Sequence, residues 1–291
     1  MIPDRRRPDP FPKVEPIWEY QADDALSATY GDYKRAFQVP WVGVAALALA
    51  RYHNFFDRWW RAMAAVVETR AYVEPALRLR SLVEDAVAGL NPPPIAGRLR
   101  DLGYSDRELD EIRGMIEVFS HGNFIQIPAF FAVTYLLEGG AFGGGPDAGA
   151  PYGARHAPQT AARFVMMEPH HVAAETRAVY DDVMTRLKLP FVNSDYRALS
   201  RWPSYFATAW NDLKGHVDTR NYDDMTAMMH NALFEVVAGL PNPTGFGAGN
   251  AGAAADLDAS AEQLLAVSRV FAYLIPGLVV NVAFFRHQLM E

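Results

Sequence analysis

Apolar positions along the chain recur at helical spacing. Leu109, Ile112, Met115, Ile116 and Phe119 follow an i, i+3, i+4 rhythm that lays one apolar stripe along a helix. Ser105 and Glu108 stand three apart just ahead of that run, the Ser-x-x-Glu capping box that marks a helix start. Ser260 to Leu264 occupies the same place in the second half of the chain. Alternating apolar and polar runs joined by Asn-Gly or Asp-Gly turns, the mark of hairpins, are absent. The pattern predicts an all-α protein. The longest apolar stretch, Val270 to Phe285, has 16 residues and contains Pro276, Gly277 and Asn281. A membrane span needs about 20 apolar residues, so this stretch reads as a buried core helix. Gly122-Asn123 interrupts a second apolar segment and reads either as an ordinary helix end or as a break that presents an amide.

The helical pattern occurs twice. Residues 28–63 set over residues 178–213, an offset of 150, match at ten of 36 positions. The matches include Tyr30/Tyr180, Asp32/Asp182, Pro40/Pro190, Phe56/Phe206 and Trp60/Trp210. The same offset reaches Thr69/Thr219, Tyr72/Tyr222 and the shared tetrapeptide Val-Ala-Gly-Leu at 87–90 and 237–240. After an indel the offset becomes 155, pairing Asp101-Leu102 with Asp256-Leu257 and Gly122 with Gly277. A run rich in Gly, Ala and Pro from Gly139 to Pro158 separates the copies and reads as a linker or long loop. The expected organisation is repeat one over residues 20–138, a linker over 139–172 and repeat two over 173–291. Two such helical repeats are expected to pack about a pseudo-two-fold axis, with the active-site cleft at the centre of one functional body.

A duplicated sequence is its own control. After the shared Pro-aromatic-Val, the first copy has Gly43-Val44-Ala45 and the second has Asn193-Ser194-Asp195. Three polar residues thus replace an apolar tripeptide at a helix start. One reading is N-capping, since Asn, Ser and Asp are preferred caps and an acid suits the first turn. The other makes Asp195, between Phe191 and Tyr196, a carboxylate in an apolar cleft. Desolvation there would raise its pKa and make it a usable general base.

Composition narrows the chemistry. The 291 residues carry 27 Lys+Arg against 34 Asp+Glu, a formal charge of −7, so the basic footprint of a nucleic-acid binder is missing. No cysteine is present, which removes thiolate nucleophiles, disulfides and Cys-ligated zinc. There is no His-Glu-x-x-His, and His170-His171 are adjacent, a spacing that does not face one site on a helix, so no metal site is expected. Gly245 to Gly249 lacks the Lys-Ser/Thr of a phosphate loop and reads as a flexible loop. The amino-terminal segment is charged and Pro-rich without an apolar core, so no secretory signal is expected and the default location is cytoplasmic.

The segment Leu189-Pro190-Phe191-Val192-Asn193-Ser194-Asp195-Tyr196, followed by Arg201-Trp202-Pro203-Ser204-Tyr205, resembles the group I 2-haloacid dehalogenases. Val39-Pro40-Trp41-Val42-Gly43-Val44 is similar to the matching motif of that family's first repeat. The resemblance runs from about residue 20 to the end of the chain. It implies a cofactor-independent hydrolase in which Asp195 deprotonates water. The hydroxide then displaces halide at Cα of a small 2-haloacid with inversion and without an ester intermediate. It implies that Trp41 and Val44 line the pocket, that Asn123 and Gln126 face it and that Ser194 holds the carboxylate, with Asn193, Tyr196 and Ala209 as further substrate-binding residues. Thr69 matches a family Thr tied to activity, and Glu74 stands one residue beyond the position where the family has Glu. The Gly122-Asn123-Phe124-Ile125 segment departs from the family's Gly-Asn-Pro-Lys. The implied partners are a 2-haloacid, water and halide, with a homodimer as the expected assembly. Two alternatives stand beside it. One is a hydrolase or lyase of another small 2-substituted acid on the same scaffold. The other is a non-catalytic helical binding protein in which Asp195 only caps a helix.

Overall fold

The structure, a computed structural model, describes residues 2–290. Among them the chain forms α1 (Asp24–Phe37), α2 (Val44–Leu49), α3 (His53–Ala64), α4 (Arg70–Ala88), α5 (Ala96–Asp101) and α6 (Asp106–Leu137). It continues with α7 (Ala174–Leu187), α8 (Ser194–Leu199), α9 (Pro203–Val217), α10 (Arg220–Ala238), α11 (Ala248–Ala255) and α12 (Ala261–His287). The only extended pairing among the described residues is one isolated bridge between Thr69 and Pro151. The fold is all-α.

Local sequence sets the helix ends. The Asp23 carboxylate accepts the Leu26 N–H at 2.8 Å to start α1. Gln38 closes that helix in the left-handed region at φ 53°, and Lys188 closes α7 the same way at φ 54°. The capping box ahead of α6 forms as its spacing predicts. Glu108 Oε2 accepts the Ser105 N–H at 2.9 Å, while Ser105 Oγ accepts the Glu108 N–H at 3.3 Å. Ser260 does the same for α12, its hydroxyl accepting the Gln263 N–H at 3.1 Å.

The chain divides into two compact units. The first comprises residues up to Leu79, Phe124–His156 and Met229–Ile275; the second comprises Arg80–Asn123, Ala157–Met228 and the residues from Pro276 on. Each unit therefore draws on both halves of the sequence. Comparable devices stabilise both. In the first, Trp60 Nε1 donates to Asp32 at 3.1 Å, Tyr30 meets Phe56 edge-on and the Tyr30 hydroxyl donates to Ile17 O. In the second, Trp210 Nε1 donates to Asp182 at 2.8 Å, Tyr180 meets Phe206 edge-on and the Tyr180 hydroxyl donates to Met167 O. The core of the first unit centres on Tyr33, Phe37, Trp59, Trp60 and Phe130. That of the second centres on Tyr196, Tyr205, Phe206, Trp210 and Leu213, all within 1% of full burial.

Gly122-Asn123 is neither a helix end nor a break, because α6 runs through it and through Pro128 without interruption. Every residue from Val118 to Leu136 is buried, so packing on all sides outweighs the poor helix propensity of Gly, Asn and Pro. The ladder is modified locally instead. The Tyr72 hydroxyl donates to Ile125 O at 2.9 Å and accepts the Ala129 N–H at 3.1 Å, bridging two groups that would ordinarily bond to each other. Helix α12 is long and apolar enough to cross a membrane by length and composition, yet 72% of its apolar window is buried inside the protein, as a core helix requires.

Candidate active site

Helix α8 carries the polar segment that distinguishes the second copy. Asn193 stands at its N-cap with an extended backbone (φ −64°, ψ 156°), but its side chain makes no capping bond, and Asp195 lies inside the first turn. Asn193 therefore does not cap α8 with its side chain, and the carboxyl of Asp195 engages its own first-turn N–H. Asp195 is only 2% exposed. Its Oδ1 accepts Asn123 Nδ2 at 2.7 Å, from α6 within the same unit. Burial is the largest influence on the carboxyl and pushes its pKa up to about 7, while the Asn123 donor and its own backbone N–H pull the other way. A carboxyl poised near neutrality and held by an amide is suited to taking a proton from water.

The rest of α8 is buried as well. Ser194 and Tyr196 are 7% and 1% exposed. Asn281 Nδ2 donates to the Tyr196 hydroxyl at 2.8 Å, and the Tyr222 hydroxyl donates to Asn281 Oδ1 at 2.8 Å. The Arg197 side chain is 6% exposed and pairs with Glu168. Asn281, Tyr222 and Arg197 were not among the residues singled out from sequence. The copy comparison held the signal for Arg197, which stands opposite Leu47 at the 150 offset; Asn281 stands opposite another amide, Gln126, at the 155 offset and gave no such contrast. Ala209, fully buried on α9, belongs to this unit too.

The remaining sequence-selected residues lie in the first unit. Gln126 is buried, and its Oε1 accepts the Tyr33 hydroxyl at 2.6 Å and the Gly43 N–H at 3.1 Å. A Cβ at Gly43 would come within 3.1 Å of that same oxygen, so glycine permits the close approach. Trp41 is 3% exposed, and Val44 opens α2. The Thr69 hydroxyl donates to Val66 O at 2.7 Å. Glu74, half-exposed, pairs with Arg70 one turn earlier at 3.1 Å. The structure thus brings Asp195 and Asn123 into direct contact and gives Thr69 and Glu74 partners of their own. His170 and His171 lie in a turn with ring centroids 4.0 Å apart, so the helix-based expectation that they diverge does not hold. Among the described residues no group of three or more His, Cys, Asp or Glu side chains converges.

Fold and site define an all-α protein that buries one amide-anchored aspartate of raised pKa. No protein-family model matches the chain. It is 38% identical over 240 residues to an (R)-2-haloacid dehalogenase of Rhizobium sp. (strain NHG3), covering 82% of this chain and 93% of that one. It is 33% identical over 286 residues to an (R)-2-haloacid dehalogenase of Pseudomonas putida, covering 96% and 93%. A solved D-2-haloacid dehalogenase in complex with L-LA superposes with a TM-score of 0.88 at 32% identity, covering 100% of both chains. The chain belongs to the group I 2-haloacid dehalogenase family.

Proposed function

We propose that this protein hydrolyses small 2-haloalkanoic acids such as 2-chloropropionate to 2-hydroxy acids, with Asp195 as the general base. The observation that carries the mechanism is the buried Asp195 carboxyl, raised to about 7 and fixed by Asn123. Asn123 engages Oδ1, and the other carboxylate oxygen is assigned to the attacking water. Asp195 takes a proton from that water as its oxygen bonds to Cα. The carbon–halogen bond breaks on the opposite face, and halide departs with the bonding pair. The product is a 2-hydroxy acid of inverted configuration, and the proton on Asp195 returns to solvent. A positioned general base contributes about 10²–10⁴-fold, so positioning and exclusion of bulk water supply the remainder.

Around that base, Ser194 is assigned to the substrate carboxylate, with Asn193, Tyr196 and Ala209 as further contacts. For Trp41, Val44 and Gln126 the assignment rests on the family motif. For Thr69 and Glu74 a catalytic part likewise rests on the family motif; the Thr69 hydroxyl donates to Val66 O, and Glu74 pairs with Arg70. The proposal also includes an origin by duplication. It is supported by α1 and α7 of 14 residues, α2 and α8 of 6 and α4 and α10 of 19, each pair 150 residues apart. A cytoplasmic location and a homodimeric assembly complete the reading. Halide release from 2-chloropropionate, lost in Asp195→Asn with helicity unchanged, tests it; release at the wild-type rate in that variant would contradict it.

A further inference from the structure

Tyr196 follows Asp195 in α8, and its hydroxyl is held by a buried relay. Asn281, fully buried on α12, donates its Nδ2–H to the Tyr196 oxygen at 2.8 Å. The Tyr222 hydroxyl donates to Asn281 Oδ1 at 2.8 Å, with Gly277 O as a longer second acceptor at 3.4 Å, and this arrangement turns the amide N–H toward Tyr196. A phenol that accepts from a fixed amide N–H directs its own proton elsewhere. The ring packs against Phe206 at a centroid distance of 6.0 Å. Asn281 is the hydroxyl's one hydrogen-bond partner among the described residues. The first copy has no such donor. Ala46 stands at the equivalent position, and the matching amide, Gln126, accepts from Tyr33 and Gly43 instead. The donor therefore belongs to the copy that carries the aspartate.

We propose that the Tyr196 O–H donates to an anionic group of the substrate, and that Asn281, backed by Tyr222, is the positioning residue that keeps it a donor. This rests on the dehalogenase reading. Two groups share the required chemistry, the substrate carboxylate and the halide that accumulates charge as its bond to Cα breaks. A preorganised donor to either would stabilise negative charge.

The test compares wild type, Tyr196→Phe and Asn281→Asp, each with circular dichroism to verify folding. An aspartate at 281 accepts from both hydroxyls and so turns the Tyr196 proton onto itself. Calorimetric titration uses two separate probes, sodium bromide and propionate, alongside 2-chloropropionate turnover. Tyr196→Phe is expected to weaken one probe about tenfold and leave the other unchanged. Loss on bromide assigns the donor to the halide, and loss on propionate assigns it to the carboxylate. Asn281→Asp is expected to reproduce the same pattern, whereas a merely structural Asn281 would lower the melting temperature and move neither probe. If Asn281→Asp does not fold, Tyr222→Phe substitutes for it, with a smaller shift in the same direction. Wild-type binding of both probes by Tyr196→Phe, with normal halide release by the wild type, overturns this inference alone. Absence of halide release by the wild type, with the probe pattern as described, overturns the dehalogenase reading and leaves the anion donor standing.

Discussion

Asn123 Nδ2 donates to Asp195 Oδ1 across 2.7 Å. Both residues are buried, and the bond favours the charged carboxylate while burial opposes it. One amide therefore orients the proposed base and keeps its pKa within reach of neutral pH.

Removing that amide is expected to make the base harder to ionise. A hydrogen bond to a charged group contributes about 1.5–3 kcal/mol, or roughly one to two pKa units. In Asn123→Ala the midpoint of the kcat/KM–pH profile should move from about 7 toward higher pH. A profile with an unmoved midpoint would show that Asn123 does not tune Asp195.

The raised pKa of Asp195 also costs stability. Its ordinary value is 3.8, and the folded value is about 7. Between those values the native state binds the extra proton, so stability falls as pH rises through the window and levels off above it. The shift corresponds to at most about 4 kcal/mol at pH 8. Asp195→Asn removes the buried charge and keeps an acceptor for Asn123. It should melt above the wild type at pH 8, with the gap closing toward pH 4. An equal gap at both pH values would contradict the assignment.

Tyr72→Phe removes the hydroxyl that bridges Ile125 O and Ala129 N–H beside Pro128. Leaving buried backbone groups unpaired costs about 1–3 kcal/mol. The variant should lose that much in a urea titration with its helicity retained, and an unchanged midpoint would show that α6 closes its own ladder there.

Much of this was legible in the sequence. Helical spacing and the Ser105–Glu108 box gave α6 its start, and the difference between Gly43-Val44-Ala45 and Asn193-Ser194-Asp195 marked the aspartate. Tertiary packing was not legible. Nothing local distinguishes Gly122-Asn123 inside a buried helix from the same pair at a helix end, because the deciding term is burial on every side. The Tyr222–Asn281–Tyr196 relay joins residues up to 85 apart in the chain, a pairing that periodicity cannot register. The exact start of α8 was hidden for a similar reason, and it places Asn193 at the N-cap and Asp195 inside the first turn.

The most direct measurement is halide release from separated D- and L-2-chloropropionate, followed from pH 5 to 9, by the wild type and Asp195→Asn. Wild-type kcat/KM should rise through a single ionisation near pH 7 and plateau above it, with product of inverted configuration. Asp195→Asn should release no halide above background at any pH. Turnover by Asp195→Asn at the wild-type rate, or wild-type activity that falls as pH rises through 7, would contradict Asp195 as the general base.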